Sequence, residues 1–213
     1  MKQASPTPLQ ALLPPGSNAA TTAGAWHWQA EDLSPPLRRQ LLKAADLQAF
    51  HRCSVFPAPV SGTLLFLFST DRRQILLIRK LRGHGAGLIN GPGGKVDPGE
   101  TRLGCALREV AEELHVQPLD ARLQGELRFV DEHGASVWGW VYRAQAWRGQ
   151  PVATAEAEPF WCPVEAIPYD AMWPGDRFWM PLVLAGISFR ATLQTVHDRI
   201  VQVTISLTAG GKP

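Results

Sequence analysis

Residues 94–116 read GKVDPGETRLGCALREVAEELHV, and the organisation of the chain follows from this stretch. Leu103, Leu107, Val110 and Leu114 recur at i, i+4, i+7 and i+11, the spacing of an amphipathic helix that faces a core. Pro98-Gly99 is a turn signal, so the helix is predicted to start at Thr101 and run to about His115. Glu100 then lies in the loop at its mouth. At about 100° per residue, Glu109, Glu112 and Glu113 are predicted to fall in an arc roughly opposite the apolar stripe. Like charges one turn apart cost about 0.2–0.5 kcal/mol per pair in water. In a partly dry cleft, charges ~4 Å apart interact by about 4 kcal/mol at an effective dielectric near 20. A divalent cation removes that repulsion. The donors are hard carboxylate oxygens with no Cys or His at zinc spacing, which suits Mg²⁺.

The loop before the helix supports the same chemistry. Asn90-Gly91-Pro92-Gly93-Gly94-Lys95 places glycines and a lysine just ahead of the acids. Glycines allow unusual backbone angles and close approach to a ligand. Lys95 is a point charge suited to phosphate. Carboxylates, a glycine loop and a lysine together point to a metal-dependent enzyme acting on a phosphoanhydride.

The segment resembles the Nudix box, G-x5-E-x7-R-E-U-x-E-E-x-G-U, where U is a bulky aliphatic residue. Gly94, Glu100, Arg108, Glu109, Val110, Glu112, Glu113 and Val116 match it. His115 stands where the pattern has glycine. A glycine there would cap the helix in a left-handed conformation, which costs a histidine roughly 1–2 kcal/mol. The likeness extends beyond the box. GHGAGLINGPGGKVDPGE, followed much later by MWPGDRFWMPL, is similar to the oxidised-purine nucleoside triphosphatases of the same family. That similarity runs over about residues 61–207 and includes Gly83, Gly85, Asn90, Glu156, Trp161, Met172-Trp173-Pro174, Asp176, Trp179 and Pro181.

The resemblance implies an α/β fold, a Nudix-like α/β/α sandwich with a mixed central sheet, here with an N-terminal helical extension. It implies Mg²⁺, with Mn²⁺ as a substitute, and hydrolysis of a purine nucleoside triphosphate such as 8-oxo-dGTP to nucleoside monophosphate and pyrophosphate. That activity clears the nucleotide pool and so prevents DNA damage. Glu109, Glu112 and Glu113 are implied as metal ligands or base, with Glu156 as an outer carboxylate and the Gly94 carbonyl as a further ligand. Arg108 and Glu100 complete the catalytic group, Glu100 acting on the cluster through Arg108 or water. The base stays open between Glu109, Glu113 and Glu156.

By the same resemblance, recognition of the substrate is expected to fall to Asn90, Trp173, Asp176 and Phe129, with Lys80 at the floor of the pocket and Lys95 on the phosphates. A carboxylate can accept two adjacent base N–H groups, and an amide can serve the neighbouring carbonyl. Trp173 offers a ring to stack on, worth about 1–3 kcal/mol; Trp179 reads as core. The family pattern has two aspartates after Trp-Pro. Here Gly175 replaces the first, and a lone Asp176 is expected to act mostly as an acceptor, favouring guanine-type over adenine-type edges. His84 replaces a family aromatic.

Composition sets the bounds. The chain has 213 residues, 45% hydrophobic and 19% charged, with a net charge of +2. These are globular values, and without a basic run polymeric nucleic acid is not an expected partner. The expected partner is a small nucleoside triphosphate, with the protein a monomer or homodimer. Cys53, Cys105 and Cys162 show no paired spacing, which suits a reducing cytoplasm. The apolar stretches around residues 64–68 and 181–185 are far short of the ~20 residues of a membrane span. The expected division is an N-terminal extension, residues 1–56, and a Nudix hydrolase domain, residues 57–213. The extension comprises a Pro/Ala/Ser/Thr-rich mobile tail and a helix over residues 35–50 capped by Ser34. Strands are expected at residues 63–69, 74–79, 125–131, 137–147, 160–164, 187–195 and 200–207, with a second helix at 176–186.

Two other functions fit the box: a Nudix pyrophosphatase acting on another diphosphate, such as ADP-ribose or a dinucleotide polyphosphate, and a non-catalytic nucleotide-sensing module. Such modules usually lose box glutamates, and none is missing here.

Overall fold

The computed structural model describes residues 25–28, 60–134, 136–197 and 199–207. The mobile tail and the helix over residues 35–50 lie outside the described residues. Two α-helices are present among those described, α1 (Arg102–Leu114) and α2 (Asp176–Ala185). The strands are β1 (Ala25–Trp28), β2 (Val60–Leu67), β3 (Gln74–Lys80), β4 (Ile89–Asn90), β5 (Gln117–Pro118), β6 (Arg122–Val130), β7 (Ser136–Ala144), β8 (Trp147–Arg148), β9 (Ala157–Pro163), β10 (Phe189–Val196) and β11 (Arg199–Leu207).

Six strands form one sheet in the order β1-β11-β10-β6-β7-β2, and β4-β3-β9 form a second. The large sheet is mixed: β10 runs parallel to β6 and β2 parallel to β7, while β1–β11, β10–β11 and β6–β7 are antiparallel. Alternate residues of a strand face opposite sides, and here both sides are covered. Leu65 and Leu67 of β2, with Leu76 and Ile78 of β3, pack with Ala106, Val110 and Leu114 of α1. Phe66, Phe68, Ile75 and Leu77 point the other way, into a core with Trp179, Met180 and Val183 of α2. This double burial is why residues 63–69 and 74–79 read as apolar runs instead of alternating patterns. The result is an α/β/α arrangement, as the box implied. Trp179 is enclosed between Phe66 and Phe189, at centroid distances of 6.2 and 6.3 Å, so it is a core residue.

Three local readings are corrected. The stretch 137–147 is not one strand. It breaks after Ala144, where Asp120 Oδ1 accepts from the backbone N–H of Gln145 (2.9 Å) and Ala146 (2.8 Å), and the chain re-forms as β8 against β5. The strand expected at 160–164 begins earlier, at Ala157, because it pairs with β3 along its length, from Gln74↔Pro163 to Lys80↔Ala157. The face of α1 is also rotated from the expected one. Leu103 is 40% exposed, whereas Glu113 is 0% exposed. Glu113 lies two turns beyond buried Ala106 and therefore nearly above it on the helix.

Candidate active site

The box helix is fixed at both ends by its own sequence. Thr101 Oγ1 accepts from Gly104 N–H at 3.0 Å, an N-cap of the kind worth about 1 kcal/mol. His115 takes the left-handed conformation at φ 56°, ψ 33°, with its N–H on the Ala111 carbonyl. The departure from glycine therefore leaves the turn geometry unchanged.

Between these ends the acids gather on two cations. Glu100 takes Arg108 with both oxygens, Nε to Oε1 at 2.9 Å and Nη2 to Oε2 at 3.0 Å, the strong forked form of the pair. Arg108 Nη1 also donates to Glu109 (2.9 Å) and Glu112 (3.0 Å). These carboxylates, Glu100 first, hold the guanidinium firmly in its charged form. Glu113 turns inward instead. Its Oε1 meets Lys80 Nζ at 3.0 Å and its Oε2 accepts from Gly93 N–H at 3.0 Å. Glu113 therefore does not share a solvated arc with Glu112, which is 57% exposed.

Burial is the largest influence on Glu109 and raises its carboxyl pKa. Arg108 opposes this, and Glu113 and Glu112 add to it. Glu100 is held below the usual range, chiefly by its bond to Arg108. Four box glutamates and Asp97, 3.8 Å from Arg108, stand against Arg108 and Lys80 and leave an excess of negative charge (five minus two) that a divalent cation reduces. Among the described residues no three His, Cys, Asp or Glu side chains converge as a finished cage. Mg²⁺ does not need one, since it takes one or two carboxylates, waters and substrate phosphates. Gly94 leaves room in this cluster. A Cβ there would overlap the Glu109 carboxyl. The Gly94 carbonyl accepts from Thr63 N–H at 2.8 Å. The residues present fit a hard divalent ion.

Glu156 lies at the start of β9 and pairs with Arg82 on the loop after β3. Its N–H donates to Thr154 Oγ1, which in turn donates to the Glu113 carbonyl at 3.0 Å. Thr154 thus ties the Glu156 loop to the end of α1. The sequence reading missed both Thr154 and Arg82. No local pattern marks them, because their partners lie 41 and 74 residues away.

The second group of predicted residues sits around the start of α2. Trp173 is half-buried, and its ring stacks on His84 at 5.0 Å and 22°. Asp176, the first residue of α2, is 3% exposed. Its Oδ2 has no hydrogen-bond partner among the described residues. Burial pushes its carboxyl up to about 8, against a backbone hydrogen bond with Trp173 and the charge of Arg177. In this form the group is largely a neutral acid at pH 7, a donor as well as an acceptor, which corrects the expectation of a mostly accepting carboxylate. Phe129 packs partly buried on the α2 core. With Leu193 it closes on Gly175, where a Cβ would be 3.4 Å from Phe129 and 2.9 Å from Leu193. Those side chains stand where a second aspartate would project. Asn90 Oδ1 accepts from Gly91 N–H at 2.8 Å. Lys95 is exposed, and its backbone carbonyl takes Arg108 Nη2 at 3.4 Å.

Known proteins match this arrangement. The NUDIX domain model covers residues 59–183. An oxidized purine nucleoside triphosphate hydrolase from Danio rerio is 36% identical over 151 residues, 67% of this chain and 92% of the relative. The mouse protein of the same name, from Mus musculus, is 35% identical over 130 residues, 57% of this chain and 78% of its own length. Among solved structures, a MutT protein from Bacillus halodurans superimposes with a TM-score of 0.60 at 22% identity, covering 68% of this chain and 97% of that one, a likeness of fold. The chain belongs to the NUDIX domain family and is one of its hydrolases.

Proposed function

We propose that this hydrolase cleaves oxidised purine nucleoside triphosphates, 8-oxo-dGTP among them, to nucleoside monophosphate and pyrophosphate, using Mg²⁺ or in its place Mn²⁺. The observation that carries the reading is the joining of the two residue groups by one short piece of chain. Lys80 holds Glu113 of the box, and His84, four residues on, lies on Trp173. Four residues extend at most ~14 Å, so the acidic cluster and the Trp173–His84 ring pair lie close enough for one nucleotide to reach both. The names of the Danio rerio and Mus musculus relatives support the same substrate class.

In this reading Glu109, Glu112 and Glu113 hold the cation, with the Gly94 carbonyl and Glu156 as further ligands. A bound divalent ion supplies neutralisation of phosphate charge and a lowered pKa of coordinated water. Arg108 sets the positions of Glu100, Glu109 and Glu112 at once. Lys80 and Gly93 N–H fix both oxygens of Glu113. One of Glu109, Glu113 and Glu156 takes the proton of the attacking water. Lys95 contacts phosphate; Trp173 stacks on the base, and Asp176, Asn90 and Phe129 read its edge. A guanine-type edge offers two N–H donors, so its binding is best served when Asp176 gives up its proton. Residues 57–213 form the catalytic unit.

The test is a substrate panel with and without Mg²⁺, following pyrophosphate and free phosphate separately. Mg²⁺-dependent pyrophosphate release from 8-oxo-dGTP, faster than from ADP-ribose or dinucleotide polyphosphates, is the expected result. Glu113→Gln is expected to lower that rate at least about 10²-fold with the fold intact. Preferred cleavage of a diphosphate compound overturns the substrate class.

A further inference from the structure

Arg82 has no role in the reading above, yet it is held against one of that reading's metal ligands. Its guanidinium pairs with Glu156. Two residues earlier, Lys80 pairs with Glu113. Arg82 stands on the bend just past β3, where Leu81 N–H still bonds the Glu156 carbonyl, so the end of β3 leads into two cations, each closed on a carboxylate.

The two pairs differ in burial. Lys80 and Glu113 are 20% and 1% exposed, whereas Arg82 and Glu156 are 62% and 41% exposed. The first pair is part of the core. The second is an exposed pair, which shifts an equilibrium by no more than about five-fold and exchanges partners readily. Glu156 is anchored through its backbone: its carbonyl accepts from Leu81 N–H at 2.8 Å and its N–H reaches Thr154. The loop bearing Arg82 continues through Gly83 and Gly85, at φ 74° and 82°, to the His84–Trp173 stack. Arg82 therefore sits on the short piece of chain that links the Lys80–Glu113 pair to the His84–Trp173 stack, the interval that a phosphate chain would cross.

We propose that Arg82 is a phosphate-positioning residue kept in reserve by Glu156. In the nucleotide-free protein the pair is closed. When a metal-bound triphosphate enters, Glu156 turns to the cation and the Arg82 guanidinium turns to phosphate, whose oxygens its planar fork fits two at a time. The inference rests on the triphosphate reading of the site.

Calorimetric titration with inorganic tripolyphosphate, which has no base, isolates these contacts. In EDTA, Glu156→Gln is expected to bind about 3–5-fold more tightly than wild type, because it frees Arg82. The double variant Arg82→Gln/Glu156→Gln is expected to lose that gain. With Mg²⁺, Arg82→Gln alone is expected to bind about 5–10-fold more weakly, as for loss of one forked charge-assisted contact. Thermal melts check that each variant is folded. A gain that persists in the double variant reflects simple charge repulsion and overturns the proposal. So does Arg82→Gln binding Mg²⁺-tripolyphosphate as tightly as wild type; if wild type still cleaves nucleoside triphosphates, only the role of Arg82 falls. A wild-type protein that binds no tripolyphosphate with Mg²⁺ and releases no pyrophosphate overturns both readings.

Discussion

Gly94→Ala is the sharpest test of the acidic cluster, because the atoms nearest the added methyl all belong to Glu109. A Cβ at residue 94 would stand 2.5 Å from Glu109 Oε2 and closer still to Oε1 and Cδ, while ordinary contact begins at 3.4 Å. The carboxyl must retreat by at least the roughly 0.9 Å missing at Oε2, and by more at Oε1 and Cδ. It cannot do so freely, since Oε1 is held by Arg108 at 2.9 Å and Arg108 is itself held by Glu100. A misplacement of about 1 Å in a catalytic group costs on the order of 10²-fold in rate, about 2.7 kcal/mol of barrier. Overpacking costs about 1–3 kcal/mol of stability, which for a domain of this size lowers Tm by about 2–4 °C per kcal/mol. The expected outcome is a folded protein with kcat down about 10²-fold and Tm down by less than about 12 °C. Pyrophosphate release under saturating Mg²⁺ and a circular dichroism melt measure the two. A folded variant turning over within three-fold of wild type would show that Glu109 is free to move without consequence.

Three further outcomes follow from single contacts. Lys80→Ala leaves the buried Glu113 with Gly93 N–H alone; a loss of about 3 kcal/mol is expected in urea unfolding, and Lys80→Met/Glu113→Gln should recover more than half of it. His115→Gly relieves a left-handed histidine, and after the entropy of an added glycine it should stabilise by about 0.5–1 kcal/mol; a destabilised variant would show that the His115 side chain contributes packing. For Asp176 the folded-state pKa of about 8 lies above the ordinary 3.8, so the folded protein keeps a proton that the unfolded chain loses. The stability this group contributes is whole below about pH 4, declines by up to ~1.4 kcal/mol per pH unit and is gone above about pH 8. Asp176→Asn should flatten that decline in urea unfolding between pH 5 and 8, and equal slopes in the two proteins would show that Asp176 is ionised throughout.

What the sequence disclosed and what it concealed divide by range. The box helix was legible because its signals are local: Pro98-Gly99 before it and apolar residues at helical spacing along it. The Arg108 cluster was nearly as open to view, since Glu109 and Glu112 lie one and four residues from it. The strands β2 and β3 were visible in the sequence, and the structure explains their apolar content by burial on both faces. The phase of α1 was another matter. Hydropathy sends Glu113 outward and Leu103 inward, and the structure does the reverse with both. What turns Glu113 inward is Lys80, 33 residues away, whose charge makes a fully enclosed glutamate tolerable. An uncompensated carboxylate in that position would cost several kcal/mol.

The same reasoning applies at Asp176, where no full counter-charge closes the balance. Oδ2 has no partner among the described residues and the group answers burial by keeping its proton. The buried carboxylates of the two halves of the site are therefore handled in opposite ways, Glu113 by pairing and Asp176 by neutralisation. That difference suits the work proposed for each. A carboxylate that is to hold a cation must not wander, which Lys80 and Gly93 secure. A group that is to read the edge of a base gains from being able to donate or accept, which a carboxyl balanced near neutrality permits. Lone burial at Gly175-Asp176 thus restores part of the versatility that a missing second aspartate would otherwise remove. Discrimination between guanine-type and adenine-type edges should consequently vary with pH across the range where Asp176 ionises, and a preference independent of pH between 6 and 9 would sever the link between its burial and base choice.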